Sequence, residues 1–350
     1  MSHRVIERRQ SKGWSQVALA KAAGVSRTQV SAIENGRLVP SVAAALRIAQ
    51  ALGDTVEHLF ADGPPSPREV AWAWQPRGAD GRAWQATVSG RATWYPVEST
   101  AEGALPHDGW FDERGLQVRP GAGAPERTLV VAGCDPLVSL LSHALTSQGI
   151  RILPLIRSSR QALELLREGV VHAAGVHFAD AHGHTANDGV VRATLGRGHR
   201  LLHQVRWDTG IAVVGARHER TPEALLRAKV RWVNREEGSA ARQAFDMILA
   251  SRRRPAGYEH VVRDHRAVAT TVASGWAEAG VCVRPAATDA QLSFIPLHRE
   301  AYELCVPEAS FDDPRIVALL GALRSTAYRQ RLADVPGCEA THTGDVRAVA

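Results

Sequence analysis

Apolar positions along the chain change period twice. Between residues 16 and 60 they recur at helical spacing in short runs, between 70 and 98 they alternate around tryptophans, and from 127 onward apolar strands take turns with amphipathic helices. In the first region Ser15 is placed to cap QVALAKAA, Gly24 to take the left-handed conformation of a tight turn, and Ser26 to cap RTQVSAIEN, which Gly36 ends. Pro40 and Ser41 then open VAAALRIAQAL, Gly53 stops it, and TVEHLF makes a last short helix. Val30 and Ile33, three residues apart, are expected to join Leu19, Val25, Leu46, Ala49 and Leu52 in a small core, with Ala20 where two helices cross closely. The opposite face presents Arg27, Thr28, Ser31 and Ala32, side chains short or flexible enough to approach base edges.

DGPPSPRE, residues 62 to 69, cannot continue a helix and reads as a semi-rigid tether. Short strands are predicted in VAWAW, RAWQATVSG and RATWYPVE. Without flanking basic clusters, Trp72, Trp74, Trp84, Trp94 and Trp110 are expected to staple a small β-layer onto the following domain rather than to stack bases.

From RTLVVAGCDPLVSLLSHAL the plan of strand, polar turn and helix predicts an α/β domain on a largely parallel sheet. LVVAG runs into Cys134, Asp135 and Pro136, with Asp135 expected to cap the next helix and the proline to occupy its first position. Ser158 and Ser159 stand at a second helix start, and Gly238, Ser239, Ala240, Ala241 and Arg242 at a third. Several such helix starts at one sheet edge would make an anion site, because free N–H groups and the helix dipole both favour negative charge; singly, each is an ordinary capped helix.

Composition narrows the classes. A chain of 350 residues that is 45% hydrophobic can bury two or three cores, and its formal charge of +6, carried almost wholly by arginine, suits a polyanionic partner. The four cysteines, Cys134, Cys282, Cys305 and Cys338, stand far apart without a CxxC, so no zinc spacing and no disulfide framework is indicated and a reducing cytoplasm is expected. His3, Arg4, Glu7, Arg8 and Arg9 are not the start of a secretory signal, and no apolar run reaches the ~20 residues of a membrane span. No Ser-His-Asp order, acid-base carboxylate pair, Walker loop or metal cluster can be placed, so neither catalysis nor a cofactor is expected. Cys134, before a helix, reads either as a redox-sensitive thiol or as an inert buried one.

The ensemble SQ…LA…GVS…QVS.IENG, followed by a Pro/Ser-capped helix, resembles the Cro and phage-repressor type of helix-turn-helix (XRE-like), a five-helix DNA-binding domain spanning residues 3 to 60. The resemblance implies that Gln16 meets a phosphate, that Arg27, Thr28 and Ala32 read bases with Arg27 placed for a bidentate guanine contact, and that Asn35 and Arg37 clamp a second phosphate. Ser26 and Ser31 share that face. It also implies a homodimer on an inverted repeat of double-stranded DNA, with half-sites about 34 Å apart.

GCDPL, REGVVHAAGVHFAD, VNREEGSAARQ, DHRAVATTVASGWAEAGV and LSFIPLHREAYEL, in that order, resemble the type II periplasmic-binding-protein-like domain of the subgroup related to molybdate-binding and molybdenum-cofactor-biosynthesis proteins. Such a domain has two lobes that close on a small ligand, with crossings here near Thr209 to Ala212 and Pro296 to Tyr302. The ligand contacts that the resemblance implies are Cys134, Asp135, Ser158, Ser159, His177, Arg206, Arg235, Ser239, Arg242 and His265, while Glu300 and Tyr302 either stiffen the hinge or touch ligand. Cys134 and SAAR replace hydroxyl donors found in relatives, which weakens the match to molybdate.

The expected protein is thus multidomain: an all-α five-helix DNA-binding domain (1–62), a linker with a small β-rich segment (63–126), and an α/β two-lobed ligand domain (127–345). Its expected function is that of a cytoplasmic transcription regulator responding to a small effector, an oxyanion such as molybdate among the candidates. The alternatives are a molybdenum-cofactor-related enzyme or handling protein with a DNA-binding appendage, and a ligand-insensitive repressor.

Overall fold

The structure is a computed structural model that describes residues 3–60, 70–98, 106–180, 183–215 and 218–349; the tether at 62–69 lies outside them. The chain divides into two compact units, one built from the residues up to Ala83 together with His107–Ala122, the other from Trp84–Pro106 and Gly123 onward.

Five helices open the first unit: α1 (His3–Ser11), α2 (Gln16–Ala23), α3 (Arg27–Glu34), α4 (Val42–Leu52) and α5 (Val56–Phe60). The caps follow the sequence. Ser15 accepts from the Ala18 amide, Ser26 and Gln29 form a reciprocal capping box, Ser41 caps α4, and Gly24 and Gly53 close α2 and α4 in the left-handed conformation. Val5, Leu19, Val30, Ile33, Ile48, Ala49, Leu52 and Leu59 form the core, with Val25 at its edge. Leu46, expected inside, is instead 57% exposed. The stripe that faces the core is Ala45, Ile48, Ala49 and Leu52, at i, i+3, i+4 and i+7, and Leu46 lies off that stripe.

Four short strands follow: β1 (Gly81–Val88), β2 (Arg91–Pro96), β3 (Gly109–Asp112) and β4 (Gly115–Val118), in the order β2-β1-β3-β4. In the second unit, β1 and β2 are tied to the α/β body by polar contacts. Tyr95 donates to the Val170 carbonyl at 2.6 Å, Arg151 to the Gln85 carbonyl at 2.9 Å, and His172 Nε2 to the Thr87 carbonyl at 3.0 Å. Trp84 and Trp94 are buried there, whereas Trp110 on β3 is 38% exposed and Trp72 packs edge-on against Phe111.

The body is one sheet with helices on its faces. Its strands are β5 (Thr128–Gly133), β6 (Arg151–Ile156), β7 (Ala173–Val176), β8 (His199–Val213), β9 (Trp232–Arg235), β10 (Val261–Val262), β11 (Ala279–Val283), β12 (Ser293–Pro307), β13 (Cys338–Glu339) and β14 (Val346–Ala348). The helices are α6 (Val138–Thr146), α7 (Ser159–Arg167), α8 (Asn187–Leu195), α9 (Pro222–Arg227), α10 (Ala240–Leu249), α11 (His265–Ala273), α12 (Arg284–Asp289), α13 (Pro314–Arg324) and α14 (Thr326–Ala333). Sheet order is β10-β9-β11-β8-β12-β7-β5-β6, with β13 and β14 also on β8.

β5, β6 and β7 are parallel to one another, as are β9, β10 and β11, but the sheet is mixed because β8 and β12 run antiparallel to each other through its centre. The two 15-residue strands create two lobes. Leu202, Val205, Leu304 and Val306 belong to a core with Leu129, Leu141 and Leu319, while Ile211, Val213 and Ile295 belong to a second core with Trp232 and Phe245. The β8–β12 register slips between Pro296 and His298 and again between Tyr302 and Glu303, so the irregularities fall where the strands pass from one core to the other.

Candidate functional site

β5 and β7 run parallel, β9 runs opposite to them because the direction reverses at β12, at β8 and at β11, and the carboxyl ends of the two sets face one another, where the residues that follow or finish them meet: Cys134 after β5, His177 after β7 and Arg235 closing β9. α11 contributes His265 as its first residue, with Asp264 as N-cap. The crossing strands contribute Trp207 and Thr209 from β8 and Glu300 from β12. In an open α/β sheet the carboxyl ends of the strands are where ligands bind, because loops there are free to vary above a rigid frame.

Cys134 Sγ lies 3.0 Å from His177 Nε2 and 3.7 Å from His265 Nε2. On its other side His177 donates from Nδ1 to Glu300 Oε1 at 2.7 Å, and the same oxygen accepts from Thr209 Oγ1 at 2.6 Å and Trp207 Nε1 at 3.3 Å. Glu300 Oε2 accepts from His298 Nε2 at 3.3 Å. All of these groups except the partly buried His298 are buried.

Burial alone would lower the pKa of His177, but the negative charges of Cys134 and Glu300 overcome it and push it up to about 10. Burial would likewise raise Glu300, yet the charge and hydrogen bond of His177 hold it well below the usual carboxylate range. His265 is driven well below the ordinary histidine value by burial and by the positive charges of Arg235 and His177. The two neighbouring imidazoles are thus driven in opposite directions, His177 toward its charged form and His265 toward its neutral one.

Asp135 sits beside this centre and does not cap α6, which begins two residues later than expected. Its Oδ1 accepts from the Leu137 amide at 2.7 Å and its Oδ2 from Gln204 Nε2 at 2.6 Å, and burial raises its pKa to about 6. Arg235 is fully buried against Glu236, and among the described residues its Nη1 has no partner. A cavity of about 60 Å³ opens next to Cys134, Asp135, Gln204, Asp264, His265, Arg266 and Tyr302, walled by Val131, Leu141, Pro154, Leu155 and Leu304.

The fold brings Cys134, Asp135, His177, Arg235 and His265 together. The oxygens of the three serines bond the protein's own backbone amides and carbonyls. Ser158 forms a capping box with Gln161, Ser159 accepts from the His177 amide, and Ser239 donates to the Glu236 carbonyl while accepting from the Arg242 amide. Arg242 pairs with Asp246 and stacks on Tyr258. Arg206 lies apart, lining a surface depression with His203, Arg299, Glu303, His342 and Arg347, because successive residues of β8 face opposite sides of the sheet and Trp207 takes the inward place. Cys134, His177 and His265, for which sequence spacing gave no metal cluster, all have donor atoms within 4.8 Å of one another. No local signal announces the grouping, since His177 and Glu300 are 123 residues apart.

In the helical part, Arg27, Thr28, Ser26, Asn35 and Arg37 are exposed and Ser31 and Ala32 partly so, all on or around α3. Ser26 and Thr28 hydroxyls bond at 2.8 Å, and Asn35 Nδ2 donates to the Ser31 carbonyl at 2.7 Å. Gln16 is already engaged: its Nε2 donates to Glu34 Oε2 at 2.8 Å, and Glu34 is held by Arg9.

The fold is that of a two-lobed α/β domain that follows, in the sequence, a helix-turn-helix domain. Residues 141–324 match the family described as the PBP superfamily domain, and the chain belongs to that family; residues 5–57 match the family described as helix-turn-helix. The chain is 29% identical over 227 residues to the uncharacterized protein YvgK of Bacillus subtilis, covering 62% of this chain and 73% of that one. It is 42% identical over 60 residues to the uncharacterized HTH-type transcriptional regulator YgzD of the same organism, covering 17% of this chain and 91% of that one. Among solved structures it resembles a putative phosphate ABC transporter substrate-binding protein of Clostridium perfringens with bound phosphate, at 12% identity and a TM-score of 0.47, over 59% of this chain and 96% of that one. The chain thus joins an XRE-like helix-turn-helix domain to a PBP-superfamily domain, and neither match is to a catalytic family. Among the described residues no helix is long and apolar enough to cross a membrane.

Proposed function

We propose that this protein is a cytoplasmic, ligand-responsive transcription regulator: a homodimer whose helix α3 reads an inverted repeat of double-stranded DNA, and whose two-lobed domain takes up a small effector at the centre around Cys134. The observation that carries this reading is the union in one chain of an exposed, polar α3 face with a buried, charged centre at the lobe crossing. Arg27, Thr28 and Ala32 supply the base-reading face, and Asn35 and Arg37 the phosphate contacts.

Ligand bound between the lobes shifts the protein only by its differential affinity for the open and closed arrangements. Strands β8 and β12 are the connection through which closure acts, and their register slips at Pro296/His298 and Tyr302/Glu303 are where they give. Molybdate or a related oxyanion stays among the candidate effectors because Arg235 Nη1 is buried without a partner. The Ser239 hydroxyl, which already donates to the Glu236 carbonyl, and the acidic groups Asp135 and Glu300 favour it less than a ring of neutral donors would.

The test is selection of bound DNA from a random pool by the full chain, followed by measurement of operator affinity with and without candidate effectors. A selected inverted repeat whose affinity changes at least tenfold with one effector supports the reading. Absence of any sequence preference overturns it. A selected operator that is indifferent to oxyanions and metal ions alike supports the ligand-insensitive repressor instead.

A further inference from the structure

We propose that Cys134 Sγ, His177 Nε2 and His265 Nε2 form a three-ligand site for one transition-metal ion of the zinc or copper(I) class. The proposal deepens the regulator reading, on which only the metal's role as effector rests.

Geometry comes first. The three donor atoms lie within 4.8 Å of one another, with separations of 3.0 and 3.7 Å from the sulfur to the two nitrogens. Around a tetrahedral zinc with bonds of about 2.0 to 2.3 Å, neighbouring donor atoms stand about 3.3 to 3.6 Å apart. The two sulfur-to-nitrogen separations bracket that spacing. The three come from three different segments, behind β5, behind β7 and at the head of α11, so the convergence is made by the fold.

A second observation is independent of the first. A metal-bound histidine characteristically gives its other ring nitrogen to a carboxylate, which fixes the tautomer and turns the free nitrogen toward the metal. His177 does this with Glu300, and Glu300 is itself pinned by Thr209, Trp207 and His298. A histidine kept only for packing has no use for four donors converging on its partner's carboxylate.

The donor set selects the metal. Thiolate and imidazole suit zinc and copper(I), whereas calcium and magnesium require oxygen. The charge also fits: a thiolate and the Glu300 carboxylate balance a dication, while Arg235 is already balanced by Glu236. Three protein ligands leave a fourth position, the arrangement of sites that exchange a water or small anion. Cys134 and His177 follow strands of the first core, while α11 packs into a core with Val233 and Cys282. A bound ion would therefore tie one lobe to the other.

The experiment uses the full chain, stripped by chelator and titrated with zinc, copper(I) and, as spectroscopic probe, cobalt(II). Expected are one metal per chain by elemental analysis and a thiolate-to-cobalt charge-transfer band. Cys134→Ser should abolish the band and weaken zinc binding at least ~100-fold, and Glu300→Gln, a positioning change, should keep the band and weaken binding about 10- to 100-fold. Should Cys134→Ser fail to fold, X-ray absorption of the zinc-loaded native chain decides, with one sulfur at about 2.3 Å and two nitrogens at about 2.0 Å expected. No stoichiometric metal, a sulfur-free shell, or binding undiminished in a folded Cys134→Ser overturns the site. Because binding is read without DNA, a metal site that leaves operator affinity unchanged would stand while metal as effector falls.

Discussion

Arg9 grips Glu34 with two hydrogen bonds, Nε to Oε1 at 2.6 Å and Nη2 to Oε2 at 3.1 Å, across 25 residues of sequence. Glu34 is the acidic residue of the IENG stretch at the end of α3, it is buried, and Gln16 adds a third donor to the same carboxylate. The triad thus fixes the ends of α1, α2 and α3 relative to one another. Removing one partner of a buried ion pair strands the other charge, so Glu34→Ala should cost about 3–5 kcal/mol of the helical domain's stability in urea unfolding, with the Arg9→Met/Glu34→Met double variant much less affected. A loss below 1 kcal/mol would show that the pair does not hold the helices.

If Arg27 makes the proposed bidentate guanine contact, Arg27→Ala should cost about 1–3 kcal/mol at the selected operator and relax sequence choice at one position. Gln16→Ala should weaken specific and non-specific DNA alike. Fluorescence anisotropy on both kinds of duplex separates the two outcomes, and unchanged affinity in both variants would remove α3 as the reading face.

His172 accepts the Val130 amide at Nδ1 and donates from Nε2 to the Thr87 carbonyl, so the fold uses its neutral form. Burial, helped by the charge of Arg315, lowers its pKa to about 4. The unfolded chain binds this proton near pH 6.5 and the folded one only near 4, so stability drains as pH falls through that window. Histidine NMR should show one ring neutral until about pH 4, absent in His172→Gln; a ring titrating near 6.5 instead would contradict the tie between β1 and β5.

Gly175 in β7 faces Tyr302, whose hydroxyl occupies the place a Cβ would need, whereas Gly189 in α8 has open space around it. Gly175→Ala must displace a buried ring packed 4.8 Å from Trp207, and overpacking of this kind costs about 1–3 kcal/mol or more. Gly189→Ala should stabilise by up to about 1 kcal/mol through helix propensity. Thermal melts of the two variants should move in opposite directions.

Where the physics is local the sequence by itself was mostly enough, the cap assigned to Asp135 being an exception because its carboxylate is drawn to Gln204. Ser15, Ser26 and Ser41 cap the helices they precede, Gly24 and Gly53 end them, and the alternation of apolar strand and amphipathic helix gave the α/β class, because capping, left-handed turns and hydrophobic periodicity involve residues a few positions apart. The same periodicity misplaced Leu46, since the phase of an apolar stripe depends on which side the neighbouring helices approach. Only the tertiary structure decided the chemistry of the centre. Cys134, His177, His265 and Glu300 are spread over nearly half the chain, and each is unremarkable among its own neighbours. They meet because two antiparallel strands thread both lobes and set the strand ends of one lobe facing those of the other, and a spacing set by that crossing leaves no periodic trace along the chain.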